Sequence, residues 1–582
     1  MTSVLSLIKS NSLPVSKRTR SSKSHTISQL SDNEEYISAT EFENFCENDL
    51  ISDWFSIVSK KFMIEYKTDT NLEFLFKKGN DHEENVITKL REITGLPLEK
   101  HTSVKTSRDY DKVSKSVQKK DLDKTLQSMR EGVPVIYSAF ICDKKEKLRG
   151  IPDLLVRNDY LQTLFKNVSL PDVSEYKDQT YYVPVEIKFS SVELCADNKH
   201  ILNQGRMKIY KTQLLAYCNI LKEMQGIFPS YAFIIGKRTI FQKTQTKIRD
   251  SIEYPGLVDY MSNDYSYGYT FAKGLEWLRD VKKNALNWTL DDFKTKELFP
   301  NMKSNNVTFL KDKKQLADQY GEITDLWRCS TNIRKNALNQ GIYSWKDYRF
   351  NSTVASLPHP YRQSLDNILK VNREALQYYP EKFSDQSFKV VENEMFVDFE
   401  LVRDSFDTDS LGDEEWLFLI GVRYKGEYTS FFMNSLTPDE EKRVINEFYD
   451  FVSKNGNPTC WYWFAEVRFW NKAMQRNRLD YKINWKDMYD LFTKEGFAVK
   501  GSLNFKLKSY IKSLKNLNLI DVELPPNNCS DGISAMMIAW NYYESSDEDK
   551  KKYESEMKDC IYYNSLDCEY LDKLITFARD NL

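Results

Sequence analysis

An acid and a lysine lie two residues apart in an otherwise apolar segment, and they are the first candidates for chemistry. In YYVPVEIKF (181–189), strand geometry turns Val183, Val185 and Ile187 towards a core and places Glu186 and Lys188 on the opposite face. Burying such a pair is costly unless partners compensate the charges. The pair therefore indicates either a reactive site or, more simply, an ion pair on the strand surface.

A second carboxylate can join this pair. Asp153 ends the segment Gly-Ile-Pro-Asp at 150–153, which opens another predicted strand. Two carboxylates and the main-chain carbonyl of Ile187 would form an oxygen-rich site suited to Mg²⁺ or Mn²⁺. Lys188 could then orient or help deprotonate an attacking water and stabilise negative charge on a phosphate.

Two helical segments supply further candidates. His82 and Glu83 are predicted near the start of a helix, from which either could reach the metal. Gln213 and Tyr217 are four residues apart and therefore fall on one helical face. Ordinary helix-surface positions would show the same spacing, so these residues gain meaning only together with the strand motifs.

The ordered set of motifs resembles the RecB-family nucleases of the PD-(D/E)xK superfamily over about 60–240. The residues that carry the resemblance are His82-Glu83, Pro152-Asp153, Glu186-x-Lys188 and Gln213-x-x-x-Tyr217. It implies a restriction-endonuclease-like mixed sheet. It also implies roles for single residues: metal binding by Glu83, Asp153 and Glu186, with His82 as a further ligand, catalysis by Lys188 with Glu186 and Asp153, and DNA contact by Gln213 and Tyr217.

Some RecB-type nucleases also hold an iron–sulfur cluster, with one early cysteine and three cysteines after the Gln–Tyr helix. Here no cysteine occurs between Cys218 and Cys329, and the nine cysteines include no CxxC pair. We therefore expect no iron–sulfur cluster, and we expect buried thiols in a reducing compartment.

A second group of acids lies near the C-terminus. In EMFVDFEL (394–401), the alternation places Asp398 and Glu400 on one face of a strand, where two carboxylates repel each other unless a cation is present. Tyr563 and Asp567 lie one helical turn apart in a predicted helix at about 559–579. Solvated strand residues are the simpler interpretation of Asp398 and Glu400.

Asp-x-Glu early and Tyr-x-x-x-Asp late resemble the DEDD exonucleases of the ribonuclease-H-like fold. The resemblance implies four carboxylates that hold two metal ions, and a tyrosine, Tyr563, that orients the attacking water. Glu466 in CWYWFAEVRFW best matches the third acid, and Asp487 is the weaker alternative. The upstream His of some relatives is absent, so an inactive scaffold with the same fold stays open.

The pattern along the chain predicts an α/β, multidomain protein. We predict a disordered basic Ser-rich tail (1–35), a RecB-like domain (36–250), a helical connector (251–385) and a ribonuclease-H-like domain (386–582) with a mixed sheet. Residues 322–348 favour a simple packing helix pair, although they also faintly resemble helix-hairpin-helix modules. The whole chain resembles a group of bacterial and large-virus proteins with this domain order.

Composition sets few further bounds. The 83 Lys and Arg residues nearly balance the 85 Asp and Glu residues, which excludes a basic packaging protein but allows a local basic groove. No apolar run is long enough to cross a bilayer, so we expect no membrane contact. The KRTR motif at 17–20 leaves a disordered tail, a nuclear address and an organellar transit peptide open for an intracellular protein.

Together these patterns predict a Mg²⁺- or Mn²⁺-dependent nuclease that hydrolyses DNA, as an exonuclease rather than an endonuclease, in repair, recombination or replication. Single strands and duplex ends are the expected substrates, and a helicase or replication protein is a conceivable partner. The alternatives are an assembly factor that binds nucleic acid with one or both nuclease domains inactive, and a second domain that acts on RNA.

Overall fold

The computed structural model describes residues 36–66, 70–102, 113–168, 170–171, 178–289, 296–389, 391–403, 415–525 and 529–582. The predicted tail at 1–35 lies outside these residues. The chain forms two compact units: the N-terminal unit ends at Leu316, and the C-terminal unit begins at Ala317. This boundary falls inside the segment 251–385 that the sequence pattern assigns to a connector.

Both units are α/β and contain mixed sheets. The strands of the described ranges are β1 (Ile37–Ser38), β2 (Val135–Tyr137), β3 (Ile141–Asp143), β4 (Leu148–Gly150), β5 (Leu154–Arg157), β6 (Tyr182–Leu194), β7 (Tyr231–Phe241), β8 (Thr246–Ile248), β9 (Gly256–Asp259), β10 (Tyr378–Tyr379), β11 (Glu394–Arg403), β12 (Glu415–Tyr424), β13 (Glu427–Phe432), β14 (Thr459–Tyr462), β15 (Asn484–Asp487) and β16 (Ala498–Val499).

The α-helices of the same ranges are α1 (Glu43–Cys46), α2 (Leu50–Lys61), α3 (Thr70–Thr94), α4 (Lys115–Arg130), α5 (Leu161–Leu164), α6 (Met207–Gln225), α7 (Tyr267–Asn284), α8 (Leu310–Tyr320), α9 (Thr331–Asn339), α10 (His359–Arg373), α11 (Pro438–Lys454), α12 (Glu466–Asn477), α13 (Met488–Lys494), α14 (Leu507–Asn516), α15 (Gly532–Glu544) and α16 (Asp547–Asn581). Among these helices, none combines the length and the apolar character that crossing a bilayer would require.

The main sheet of the N-terminal unit has the strand order β2-β5-β6-β7-β8, and β9 also pairs with β7. Only β6 and β7 run parallel among these pairs. The predicted alternation in β6 is confirmed: Val183, Val185 and Ile187 join one apolar core with residues of α3, whereas Tyr182 joins another core with residues of α6. The sheet therefore has a helix on each face, and Glu186 faces the α6 side.

The main sheet of the C-terminal unit has the strand order β13-β12-β11-β14-β15. The strands β13, β12 and β11 pair antiparallel, whereas β14 and β15 add in parallel. The long helix α16 begins at Asp547, twelve residues before its predicted start, and the Ser546 side chain accepts a hydrogen bond from the Asp549 amide there. Leu571, Leu574 and Ile575 form its buried stripe, as predicted.

Both helix-pair readings of 322–348, the packing pair and the helix-hairpin-helix, are wrong. α9 is the single α-helix of this segment, and the chain after Gly341, whose φ is +69°, follows an irregular path until α10 begins at His359. Main-chain carbonyls in this path accept hydrogen bonds from the Arg373 guanidinium, among them those of Asp347 at 2.8 Å and Phe350 at 2.9 Å. Arg373 thus donates the hydrogen bonds that main-chain amides would have donated to these carbonyls in a second helix.

Candidate metal sites in the two units

In the N-terminal unit, two side chains donate hydrogen bonds to Glu186, which is 3% exposed. Its Oε1 accepts hydrogen bonds from Lys188 Nζ at 2.6 Å and from Gln213 Nε2 at 2.8 Å. Gln213 Nε2 also donates to Tyr217 Oη at 2.7 Å, and the Tyr217 hydroxyl donates to the Ile151 carbonyl at 3.2 Å. The strand pair Glu186/Lys188 and the helical pair Gln213/Tyr217 therefore form one network, in which Gln213 orients the acid.

The second predicted carboxylate also reaches this strand. Asp153 Oδ2 accepts a hydrogen bond from the Ile187 amide at 2.6 Å, which fixes the carboxylate beside Glu186. Burial, followed by the negative charges of Glu186 and Glu83, raises the pKa of Asp153 well above its usual range. The structure therefore brings Asp153, Glu186 and Glu83 into one electrostatic group.

Lys188 is the positive partner of this group, and its side chain is 21% exposed. Burial alone would lower the pKa of Lys188, but the carboxylates of Glu186 and Asp153 raise it above its ordinary value. Burial raises the pKa of Glu186, and Lys188 opposes that effect. The ammonium also lies 5.1 Å from the centre of the Tyr210 ring, a cation–π distance.

The positions of His82 and Glu83 correct the expectation of a helix start. Both lie in the middle of α3, which begins at Thr70. Glu83 Oε1 accepts a hydrogen bond from the Tyr137 hydroxyl at 2.9 Å, and the His82 ring packs 5.7 Å from that of Phe189. Glu83 thus faces the acid group, and the His82 ring contacts Phe189, the residue after Lys188.

Gly150 makes room for this network. A β-carbon at Gly150 would lie 2.3 Å from Cε1 of Tyr217, much closer than atoms approach. Glycine is therefore required for Tyr217 to reach the Ile151 carbonyl. Sequence reasoning noted Gly150 only as part of a strand opening, and it missed Tyr210, which lies three residues before Gln213 and on the same helical face.

In the C-terminal unit, three acids converge as predicted. One carboxylate oxygen from each of Asp398, Glu400 and Asp567 lies within 4.8 Å of the other two. Asp398 and Glu400 lie on β11, and Asp567 lies on α16. This group, called the acid triad below, is where carboxylate ligands could hold a cation.

Asn564 positions the first acid of the triad. Its Nδ2 donates a hydrogen bond to Asp398 Oδ2 at 2.7 Å, and its Oδ1 accepts one from the Tyr428 hydroxyl at 2.9 Å. Gly421 is the partner of Asp398 in the pairing of β11 with β12. The fully buried Asn564 was part of the quoted Tyr-x-x-x-Asp motif, but the motif gave it no role.

Lys508 brings a positive charge to this site, and no motif in the sequence pointed to it. Its Nζ lies 3.2 Å from Asp567 Oδ2, donates a hydrogen bond to the Tyr563 hydroxyl and lies over the Tyr563 ring. Burial, followed by the charge of Asp567, raises the pKa of Tyr563 above its usual range. Tyr563 is therefore a neutral phenol beside Asp567.

Glu466 and Asp487, the two alternatives for the third acid motif, have different positions. Asp487 caps α13, since its Oδ1 accepts hydrogen bonds from the amides of Asp490 and Phe464, both at 3.2 Å. Glu466 is the first residue of α12, and its charge acts on Asp398 and Glu400. Its Oε2 also accepts a hydrogen bond from the Ala465 amide at 3.0 Å. Glu466 borders the acid triad, and Asp487 supports the fold.

Burial and mutual repulsion dominate the electrostatics of the acid triad. Burial, then Asp567 and Glu400, raises the pKa of Asp398 well above its usual range. Burial and then Asp567 raise the pKa of Glu400 to about 8, and burial raises the pKa of Glu466 to about 8. Carboxylates that repel each other in this way gain stability from a bound cation.

Both sites retain acceptor atoms that a cation could use. Glu186 Oε2 in the N-terminal unit and Asp567 Oδ1 in the C-terminal unit are buried and accept no hydrogen bond from the described residues. Hard oxygen ligands of this kind fit Mg²⁺ and Mn²⁺. Glu186 and Asp153 would hold the ion in one unit, and the acid triad would hold it in the other.

Comparisons with protein families and with curated proteins add no relative to this description. No family model matches the sequence. No curated protein matches it either. Assignment of function therefore rests on the residues and the geometry of the two sites.

Proposed function

We propose that the protein is a metal-dependent nuclease that hydrolyses phosphodiester bonds of DNA. The observation that carries the proposal is the acid triad, in which Asp398, Glu400 and Asp567 each offer an oxygen within 4.8 Å of the others. Carboxylates at such a distance, of which Glu400 and Asp567 are buried, favour a cation among them, and two-metal nucleases use carboxylate sites of this kind.

The N-terminal site supports the same proposal with different chemistry. Its mixed sheet places Glu186 and Lys188 on one face of β6 and Asp153 beside them, as the resemblance to PD-(D/E)xK nucleases implies. Likewise, the five-stranded mixed sheet of the C-terminal unit is consistent with the ribonuclease-H-like fold. We propose that these two sheets are the cores of a restriction-endonuclease-like fold and a ribonuclease-H-like fold.

In the N-terminal unit, Lys188 and Gln213 would have different roles in catalysis. Lys188, held as an ammonium by Glu186 and Asp153, stabilises charge on the phosphate rather than removing a proton from water. Gln213 keeps Glu186 Oε2 available by binding Oε1. When bound, Mg²⁺ or Mn²⁺ supplies Lewis-acid stabilisation of the charge that develops on the phosphate oxygens.

In the C-terminal unit, Tyr563 and Lys508 supply the donors. The raised pKa of Tyr563 keeps its hydroxyl protonated, so that it can orient a nucleophilic water by hydrogen bonding. Lys508 places a positive charge next to Asp567, where it can meet the phosphate. Asn564 fixes the Asp398 carboxylate that shares the site.

A substrate panel with the purified full-length protein tests the proposal. Labelled single- and double-stranded DNA, with RNA in parallel, would be incubated with Mg²⁺, Mn²⁺ or EDTA. We expect turnover with the divalent ions, loss of turnover in EDTA, and loss in the double variant Lys188→Met/Asp398→Asn. Turnover unaffected by both substitutions would refute the mechanism, and metal-independent binding without cleavage would identify a binding factor instead.

A further inference from the structure

The chain makes a strained three-residue turn directly after β14. Phe464 has φ +78°, and the Ala465 amide donates a hydrogen bond to the Trp463 carbonyl at 3.1 Å, which closes the turn around Phe464. This is the unfavourable form of the γ-turn. Residues other than Gly, Asn and Asp rarely adopt such a positive φ. Backbone strain of this kind marks places where the surrounding structure enforces a conformation.

The strained turn displays the Phe464 ring in solvent. The side chain is 65% exposed, although a residue of this size and apolarity ordinarily packs inside. The ring packs against Tyr489 with centroids 4.8 Å apart and an interplanar angle of 61°, and Tyr489 packs in turn against Trp463 at 5.7 Å. The exposed Phe464 ring is therefore held in place by packing against two further aromatic rings.

The same turn connects the ring to the acids. Asp487 Oδ1 accepts a hydrogen bond from the Phe464 amide at 3.2 Å and so holds the turn against the start of α13. Two residues later, Glu466 begins α12 and borders the acid triad. The main chain thus fixes the exposed ring within two residues of an acid that acts on Asp398 and Glu400.

We propose that Phe464 is a stacking platform for an unpaired nucleobase, and that the C-terminal unit therefore takes single-stranded nucleic acid. This inference rests on the proposed function, since the base belongs to the strand whose phosphate reaches the acid triad. A bare aromatic face stacks on any base, whereas a base inside a duplex already has its faces covered by neighbours. Phe464 is a positioning residue in this view.

A fluorescent base provides the test. The probes are single-stranded DNA oligonucleotides with 2-aminopurine at either the 3′ or the 5′ end, bound to the full-length protein with Ca²⁺ in place of Mg²⁺. We expect the wild type to quench the fluorescence of one probe by stacking. The substitution Phe464→Leu should abolish this quench and weaken binding by about 5- to 100-fold.

Matched variants separate stacking from folding. Phe464→Tyr keeps a ring and should keep the quench, and so should Tyr348→Leu, which removes a 72% exposed aromatic ring that contacts Arg373 instead. Phe464→Asn should lose the quench but melt higher than Phe464→Leu, because Asn tolerates the positive φ. This pattern would show that the missing ring, rather than unfolding, removes binding.

The result also distinguishes this inference from the proposed function. Cleavage of DNA with an equal quench and equal affinity in wild type and Phe464→Leu would overturn the stacking platform and leave the nuclease intact. A quench that depends on Phe464, in a protein that cleaves none of the substrates, would support the platform and overturn the nuclease.

Discussion

Asn564 occupies the space that a side chain on Gly421 would need. A β-carbon at Gly421 would lie 1.7 Å from Asn564 Oδ1, the atom that accepts the Tyr428 hydrogen bond. Gly421 is also the strand partner of Asp398, whose carboxylate Asn564 binds through its other side-chain atom. The position of an acid on β11 therefore depends on the absence of a side chain on β12.

Gly421→Ala should destabilise the C-terminal unit and lower its activity together. Asn564 must move away from the new methyl group, which breaks its bonds to Asp398 and Tyr428, and such overpacking costs about 1–3 kcal/mol. Urea unfolding and a nuclease assay on the same preparation would measure both effects. Gly532→Ala is the control, because a β-carbon there meets nothing within 4 Å. Equal stability of the two variants would contradict the steric argument.

Lys188→Met should reduce cleavage by the N-terminal unit. Loss of a donor that stabilises developing charge reduces rates by about 10²- to 10³-fold, whereas DNA binding should persist. The assay belongs in an Asp398→Asn background, so that the C-terminal unit contributes no turnover. Lys222→Met, which removes an exposed lysine near the end of α6, is the matched control. Unchanged single-turnover rates in Lys188→Met would exclude Lys188 from the chemistry.

Mn²⁺ should raise the melting temperature of the wild type more than that of Glu400→Gln. A ligand that binds only the folded state at 100 times its Kd stabilises it by about 2.7 kcal/mol, and the variant lacks one carboxylate of the acid triad. In EDTA, Glu400→Gln should melt at a higher temperature than the wild type, because the substitution relieves repulsion among the carboxylates of the acid triad. Calorimetry with Glu427→Gln, an exposed acid on β13, as control would check both parts. A Mn²⁺ shift of equal size in all three proteins would place the ion elsewhere.

Asp53 should make stability depend on pH. Burial raises the pKa of Asp53 to about 7, although Asn44 at 2.7 Å and Trp277 at 2.8 Å donate hydrogen bonds to its carboxylate. The pKa of Asp53 in the folded protein therefore lies above its unfolded value of about 3.9. The contribution of Asp53 to the free energy of unfolding is fully present below pH 4 and is lost as the pH rises through 7.

Thermal melts from pH 4 to pH 8 would compare the wild type with Asp53→Asn. The variant has no titrating group at this position, so its melting temperature should fall less over that range. Parallel curves for the two proteins would show that Asp53 does not titrate between these pH values.

Local periodicity was sufficient to predict the strands that carry the acids. The alternation of polar and apolar residues placed Glu186 on one face of β6, and Asp398 and Glu400 on one face of β11, because a strand repeats every two residues. The helical spacing of Gln213 and Tyr217 was equally informative. In each case the residues of the pattern lie within one strand or one helix, so that local spacing alone sets the face they share.

Contacts between distant segments carried no such signal. Lys508 meets Tyr563 across 55 residues, and Tyr137 meets Glu83 across 54 residues. Neither Lys508 nor Tyr137 stands out from its neighbours in sequence, since their roles arise only when separate elements pack. The same holds for the segment after Gly341, where binding of main-chain carbonyls by Arg373 replaced the expected second helix.

The close approach of Tyr217 to Gly150 has a consequence for natural variation. Any side chain at position 150 would displace the phenol that Gln213 binds, and with it the orientation of Glu186. A larger residue at 150 is therefore acceptable only where position 217 has become smaller in the same chain. Aligned homologues should show these two positions changing as a pair, and a mutant library selected for activity should recover them only in that combination.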